Sequence, residues 1–286
     1  MFKRLYHCYV AGLYDLSFDD GKNLIPLEEF RSEMKEILHP DDYQLASLLF
    51  MPYDNKNLIR FFSGKGEQHD IHGNYSQEEF EEQVKLLDSI IKVDDILPSY
   101  MVEIIGDWLA GEKSIDLIDA EKRLTEGYFN MVDNSGSMFL KKWSEFELDL
   151  NNILVLKNSM ELDLDASDQI VGRNQLTEEL KIISRRKSDF RIPPEPEYAS
   201  VIFNIAGETE FLERELKIDQ IKWRYINDLI FFEYFTIDFI LGYLVKLSIA
   251  LRWKELIPEK GEEMLRKLVT ELKETEDKDK AEAEAK

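Results

Sequence analysis

The sequence predicts an all-α protein built from several helical bundles, and three observations carry that prediction. In its most apolar stretch, Ile218 to Pro258, the residues Ile237, Ile240, Leu241, Leu244, Leu247 and Leu251 recur at three- and four-residue steps, which puts them on one helix face. Helix-start and helix-stop chemistry punctuates most of the remaining chain. Strand-favouring residues gather only near the N-terminus, LYHCYVAGLYDL, and at Tyr198 to Ile205, YASVIFNI.

The apolar stretch has a rival reading as a membrane span from Leu229 to Leu251. Glu233, Asp238 and Lys246 interrupt it, each opposing insertion by about 2.5–3.5 kcal/mol at mid-bilayer, while each apolar residue returns about 0.3–0.6. Those three charges fall at separated angles on a helical wheel, so one bundle interior cannot shelter them all. The expectation is a buried helix pair with Glu233 and Asp238 at a bend or packed polar contact. Gly242 in mid-run predicts close helix packing, since it costs about 1 kcal/mol relative to Ala.

Composition points to a soluble chain of the cytosol. Lys and Arg number 36 against 58 Asp and Glu, a formal charge of −22, which repels nucleic-acid phosphates and anionic lipid headgroups. The N-terminal MFKRLYHCYVAGL lacks the long apolar core of a signal peptide, and the lone Cys8 forms no internal disulfide.

Taken in order, LYHCYVAGLYDL reads as a first helix on context. Asp19 to Asn23 is a turn, and Pro26 heads the helix LEEFRSEMKEIL. His39-Pro40 stops it, and Asp41-Asp42 is expected to cap YQLASLLF. Phe62 to Asn74, with three glycines, reads as a surface loop, and Ser76 with Glu79 forms a capping box for the next helix. Pro98-Ser99 opens a helix through Trp108, Gly111 breaks it, and another helix spans about Ile115 to Met131. Gly172-Arg173-Asn174 and Pro193 to Pro196 are further breaks. An amphipathic helix over Glu262–Glu274 leads into a charged tail, 271–286, expected to be disordered. Residues 1–270 are expected to form one elongated helical body, with repeat units near 1–110, 111–200 and 201–270.

The repeat rests on an internal echo. Met51 to Phe62, MPYDNKNLIRFF, aligns with Glu147 to Asn158, ELDLNNILVLKN, matching Asp54, Asn57 and Leu58 to Asp149, Asn152 and Ile153. A looser third copy, Leu216 to Trp223, contributes Asp219 without the asparagine. An Asp followed by apolar residues is how many helices begin, so Asp54, Asn57, Asp149, Asn152 and Asp219 read as helix-cap positions.

YDNKNLIRFF together with this repeat resembles the helical C subunit of V-type and A-type rotary ATPases, known as the d subunit in eukaryotic complexes, where D-x-x-N-L opens a core helix in successive units. LGYLVKLSIALRW, Leu241 to Trp253, is similar to that family's late helix. YVAGLYDLSF, Asn55-Lys56-Asn57, IKWRY and ALRWKEL are similar to an uncharacterised bacterial family encoded among V-type ATPase genes, over most of residues 5–270. The resemblance implies a funnel-like body of three related bundles without a reaction of its own. In that role it sits on the cytoplasmic face of the membrane rotor ring, seats the central axle and transmits torque. The implied partners are rotor-ring and axle subunits, reached through protein contacts rather than lipid or nucleic acid, with no cofactor.

Other chemistry is thin. Glu67, His69, Asp70 and His72 offer metal-ligand types at short spacing, but in a glycine-rich loop. Ser63-Gly64-Lys65-Gly66 lacks P-loop spacing, and Gly172-Arg173-Asn174 is no dinucleotide fingerprint. Adjacent His7 and Cys8 diverge, which is poor geometry for a base and nucleophile. Lys181 to Arg191 gathers Arg185, Arg186 and Lys187, either a solvated helix end or a partner surface. The alternative to a coupling role is a helical cytosolic enzyme or regulatory adaptor unrelated to a rotary ATPase.

Overall fold

Helix starts follow local chemistry. Ser76 and Glu79 form the expected reciprocal box, Ser76 N donating to Glu79 Oε2 at 2.8 Å and Glu79 N to Ser76 Oγ at 3.3 Å. Asp116 and Ser137 cap the two helices that follow Gly111 and Gly136. At the third helix the expectation needs correcting. His39, not the Asp41-Asp42 pair, is the N-cap, with Pro40 in the first turn and Asp41 N donating to His39 Nδ1. Asp42 is buried instead and accepts from the Tyr6 hydroxyl and from Arg4.

The computed structural model describes residues 4–16, 24–64, 68–89, 94–186 and 192–255. Among these are twelve helices and no strand: α1 (His7–Gly12), α2 (Leu27–Ile37), α3 (Pro40–Leu48), α4 (Met51–Ser63), α5 (Gln77–Asp88), α6 (Ser99–Ala110), α7 (Leu117–Asp133), α8 (Met138–Glu161), α9 (Gln175–Arg186), α10 (Glu197–Ala206), α11 (Phe211–Ile230) and α12 (Ile237–Glu255). The chain is therefore all-α. Of the two strand-favouring stretches, the first is helical over His7–Gly12 and the second throughout; in α10 the buried Ala199, Ile202 and Ala206 follow helical spacing, and that packed stripe overrides β propensity. The expected helix at Glu262–Glu274 and the tail 271–286 lie outside the described residues.

The long α8 is the hub. Phe139, Trp143, Phe146, Leu150, Ile153 and Leu156 are buried along it, and α7, α9, α10, α11 and α12 pack around it. Ahead of it, α4 and α6 lie on α7, and α5 bridges α4 and α6. One hydrophobic cluster runs from Phe30 to Ile249.

The most apolar stretch is a helix hairpin, α11 and α12, split by a turn at 231–236. Ile237, Ile240, Leu241, Leu244 and Leu247 are buried as the stripe predicts, and Leu251 is half-buried. A Cβ on Gly242 would lie 2.6 Å from Ile230 Cγ2, so the two helices approach closely there. Asp238 sits in the first turn of α12 and accepts from the Ser137 hydroxyl at 3.3 Å, while Glu233 lies in the turn. Among the described residues no helix is long and apolar enough to cross a membrane. The hairpin also holds the N-terminal arm: Tyr6 N donates to Phe235 O at 2.7 Å, His7 packs on the Phe235 ring, and α2 lies on α12.

Candidate functional site

The two copies of the D-x-x-N echo build the same device. Asp54, the fourth residue of α4, has no exposed surface and accepts from Asn74 N (2.6 Å), Tyr75 N (3.0 Å) and Asn74 Nδ2 (2.7 Å). One turn on, Asn57 makes a reciprocal amide pair with the backbone of Asp70, donating to its carbonyl at 2.9 Å and accepting from its N–H at 2.8 Å. The two side chains thereby fasten the loop before α5 onto α4. Arg31 of α2 ties the same loop from outside, donating to His72 O, Gly73 O and Asn74 Oδ1. Gly73 is required, because a Cβ there would stand 2.5 Å from Asp54 Oδ1.

In the second copy Asp149 is buried in mid-α8 and accepts from Asn174 Nδ2 at 2.8 Å and from the Tyr198 hydroxyl at 2.6 Å. Asn152 repeats the amide pair on the backbone of Val171, at 2.7 and 3.0 Å. Here too a glycine, Gly172 at φ +103°, precedes the asparagine that reaches the carboxylate. The order then continues in step. Pro98-Ser99-Tyr100 opens α6 and Pro196-Glu197-Tyr198 opens α10, with Tyr100 donating to Asn55 beside Asp54 and Tyr198 to Asp149 itself.

These contacts correct the cap reading. Phe50, Ser137 and Glu210 hold the N-cap positions of α4, α8 and α11; Asp54 is in the first turn but serves the next loop, and Asp149 and Asp219 are deep within their helices. Their donors come from 20 to 49 residues further along the chain. Asp219 is buried and held by Arg252 and by Trp253 Nε1 at 2.7 Å, so the third copy fastens the end of α12 rather than a loop. Where an asparagine would complete the pattern stands Lys222, which faces Glu147 at 2.8 Å.

A family profile described as "Protein of unknown function (DUF2764)" matches residues 3–276. The chain belongs to the DUF2764 family. No curated protein and no solved structure matches it. The DUF2764 match covers both clamps, the Asp219 contact and the α11–α12 hairpin.

Burial sets the electrostatics of the DUF2764 clamps. Desolvation pushes the Asp54 carboxyl up to about 6, against the pull of the Tyr75 and Asn74 donors and of Arg31. Asp149 is raised for the same reason, opposed by Tyr198 and Asn174. Tyr198 is raised strongly, by burial first and then by the carboxylate it serves. Each carboxylate thus has its acceptor positions engaged by donors that belong to another segment. Such a pair locks a loop to a helix; neither copy aligns a nucleophile with a base.

The metal-ligand types of the loop are used in the same way. His72 Nδ1 lies 2.8 Å from Asp70 Oδ1, and His69 Nε2 lies 2.9 Å from Tyr75 O. Among the described residues no group of three His, Cys, Asp or Glu side chains is placed to hold a metal; Glu67 lies outside them. A cleft of about 360 Å³ opens between α7, α8 and the 171–174 loop, lined by Phe129 and Leu148 with Glu126, Glu145, Lys141 and Arg173. Arg185 and Arg186 are exposed in the last turn of α9, and Lys187 lies outside the described residues.

The clamps are half-legible in the sequence. The Asp–Asn pairs and the break at Gly172-Arg173-Asn174 stand out there, whereas Asn74, Tyr100 and Tyr198 do not. The signal that finds them is the shared order Asp-x-x-Asn, Gly, Asn, Pro-x-Tyr.

Proposed function

We propose that this protein is a non-catalytic central-stalk subunit of a V-type or A-type rotary ATPase, coupling the axle to the membrane rotor ring from the cytoplasmic face. The observation that carries the reading is the repeated helical unit, in which a buried Asp–Asn pair fastens the following loop, with Asp219 fastening the last helix. The same Asp-x-x-Asn pairs carry the resemblance of YDNKNLIRFF and its echo to the rotary-ATPase C subunit, although Asp149 lies within its helix rather than at its start. A torque-bearing spacer needs loops that do not yield relative to their helices. Buried charge-assisted hydrogen bonds, about twice as strong as neutral ones, meet that need.

Net charge of −22 directs such a spacer to protein loops carrying Lys and Arg rather than to lipid. Protein-free anionic vesicles are expected not to retain it at low salt, whereas membranes containing the rotor ring are. The direct test is a tagged copy expressed in its native host and purified from detergent-treated membranes. Ring and axle subunits should accompany it. Recovery as a soluble protein free of both would sink the reading and leave a helical enzyme or adaptor, for which the cleft beside Arg173 is the place to look.

A further inference from the structure

Three large rings stand out of the turn that joins α11 to α12. Phe231, Phe232 and Tyr234 are 62%, 81% and 63% exposed, and among the described residues no other four-residue span carries three exposed large apolar side chains. A patch of this kind on an otherwise charged surface marks a contact site more often than chance.

The turn is held in shape. Glu233 N donates to Ile230 O, the Thr236 hydroxyl to Glu233 O, and the N-terminal arm adds Tyr6 N to Phe235 O at 2.7 Å. Phe235 is at φ +60°, a region that bulky L-residues avoid, and its ring packs on His7 at 4.5 Å. Phe231 and Phe232 lie edge to face, 4.7 Å apart. Rings fixed on a braced turn lose little freedom on docking, which is the condition under which exposed aromatics become binding anchors.

Charge selects what they dock into. A second copy of the chain brings another −22 and is repelled, as are nucleic acid and anionic lipid. Neutral lipid gains too little from three rings, since even a single myristoyl chain anchors only marginally. Exposed Asp228 stands three residues ahead of the rings and half-buried Glu233, which accepts from the Thr236 hydroxyl, stands among them, so a complementary surface is apolar inside and basic at the edge. We infer that the Phe231-Phe232-Tyr234 turn is the docking knuckle of this protein, seated in a groove of a partner protein lined by apolar side chains and rimmed by Lys and Arg. In the rotary-ATPase reading, on which this rests, that partner belongs to the ring-and-axle assembly.

The test compares retention by ring-containing membranes and by protein-free zwitterionic vesicles. Four proteins are used: wild type, Phe232→Ser, the triple variant Phe231→Ser/Phe232→Ser/Tyr234→Ser, and a control, Phe211→Ser/Leu212→Ser, which removes two exposed apolar side chains at the start of α11. Expected are retention of wild type and control by the ring membranes, about tenfold weaker binding for Phe232→Ser and about a hundredfold for the triple variant. Added salt should slow wild-type association. If the triple variant misfolds by circular dichroism, the single variant decides. Equal retention of wild type and variants would remove the knuckle and leave the rotary-ATPase reading standing. No retention of wild type would remove both. Retention of wild type by the zwitterionic vesicles, or a wild-type dimer in sedimentation that the variants abolish, would overturn the proposal in favour of lipid or a second copy.

Discussion

At Asp54 the buried carboxylate is met by two backbone N–H groups and one side-chain amide, whereas at Asp149 it is met by a side-chain amide and a phenol. The asparagine of each pair does the same thing in both places, closing a two-bond ring with one backbone residue. The difference traces to how the next helix is capped. Before α5 the cap is a separate Ser76, which leaves Asn74 and Tyr75 free to turn their N–H groups on Asp54. Before α9 Asn174 is itself the cap, accepting from Thr177 N at 2.8 Å, so it spares only its amide and Tyr198 completes the shell. The asparagine defines the unit, and the aspartate is satisfied by whatever the local cap leaves over.

The largest expected effect separates the two carboxylates. Asp54→Ala strands two backbone donors that cannot move away and should cost about 3–4 kcal/mol; Asp149→Ala strands side chains that can reorient, and should cost about 2. Chemical denaturation measures both, and an equal or reversed order breaks the comparison. Asn57→Ala and Asn152→Ala remove the shared ring, so each should cost about 2 kcal/mol and the two should agree within about 0.5.

Next in size is a pH effect belonging to the first clamp. The Asp54 carboxyl, near 6 when folded, lies above its ordinary 3.8, so the folded chain holds that proton more tightly than the unfolded one. The stabilisation it gives is complete below about pH 4 and is lost as pH rises through 6. Wild type should therefore lose on the order of 2–3 kcal/mol more than Asp54→Asn between pH 4 and pH 7. Parallel stability curves for the two would place Asp54 in a far less desolvated setting. Smallest are the phenols: Tyr198→Phe should cost about 1.5 kcal/mol, because its bond goes to a carboxylate, and Tyr100→Phe about 1, because Asn55 is neutral.

What the sequence makes legible is whatever depends on near neighbours. Ser76 with Glu79, the stripe on α12, Gly242 and the breaks at Gly111 and Gly172 all act within a few residues or one helix face. The clamps do not. Asp54 and Asp149 look like caps because a local rule supplies donors three residues ahead, while their true donors arrive 20 to 49 residues later, once the following loop and, for Asp149, α10 have folded back. His39 escapes notice as a cap for a related reason: its imidazole takes the place usually held by Ser or Asp, and the neighbouring Asp41-Asp42 pair is the stronger local signal. The exposed rings of the α11–α12 turn are submerged in a stretch whose dominant pattern is its buried stripe.

The contact between Tyr6 and Phe235 has a consequence for how the chain is born. The N-terminal arm and α2 meet α3 early, but the Tyr6 N–H and one face of α2 find their partners only on the α11–α12 hairpin, so on a ribosome adding about 5–20 residues per second those contacts wait on the order of 10–50 s. Throughout that interval Phe30, without exposed surface in the finished protein, lacks the α12 ring of Tyr243 that lies 5.3 Å from it.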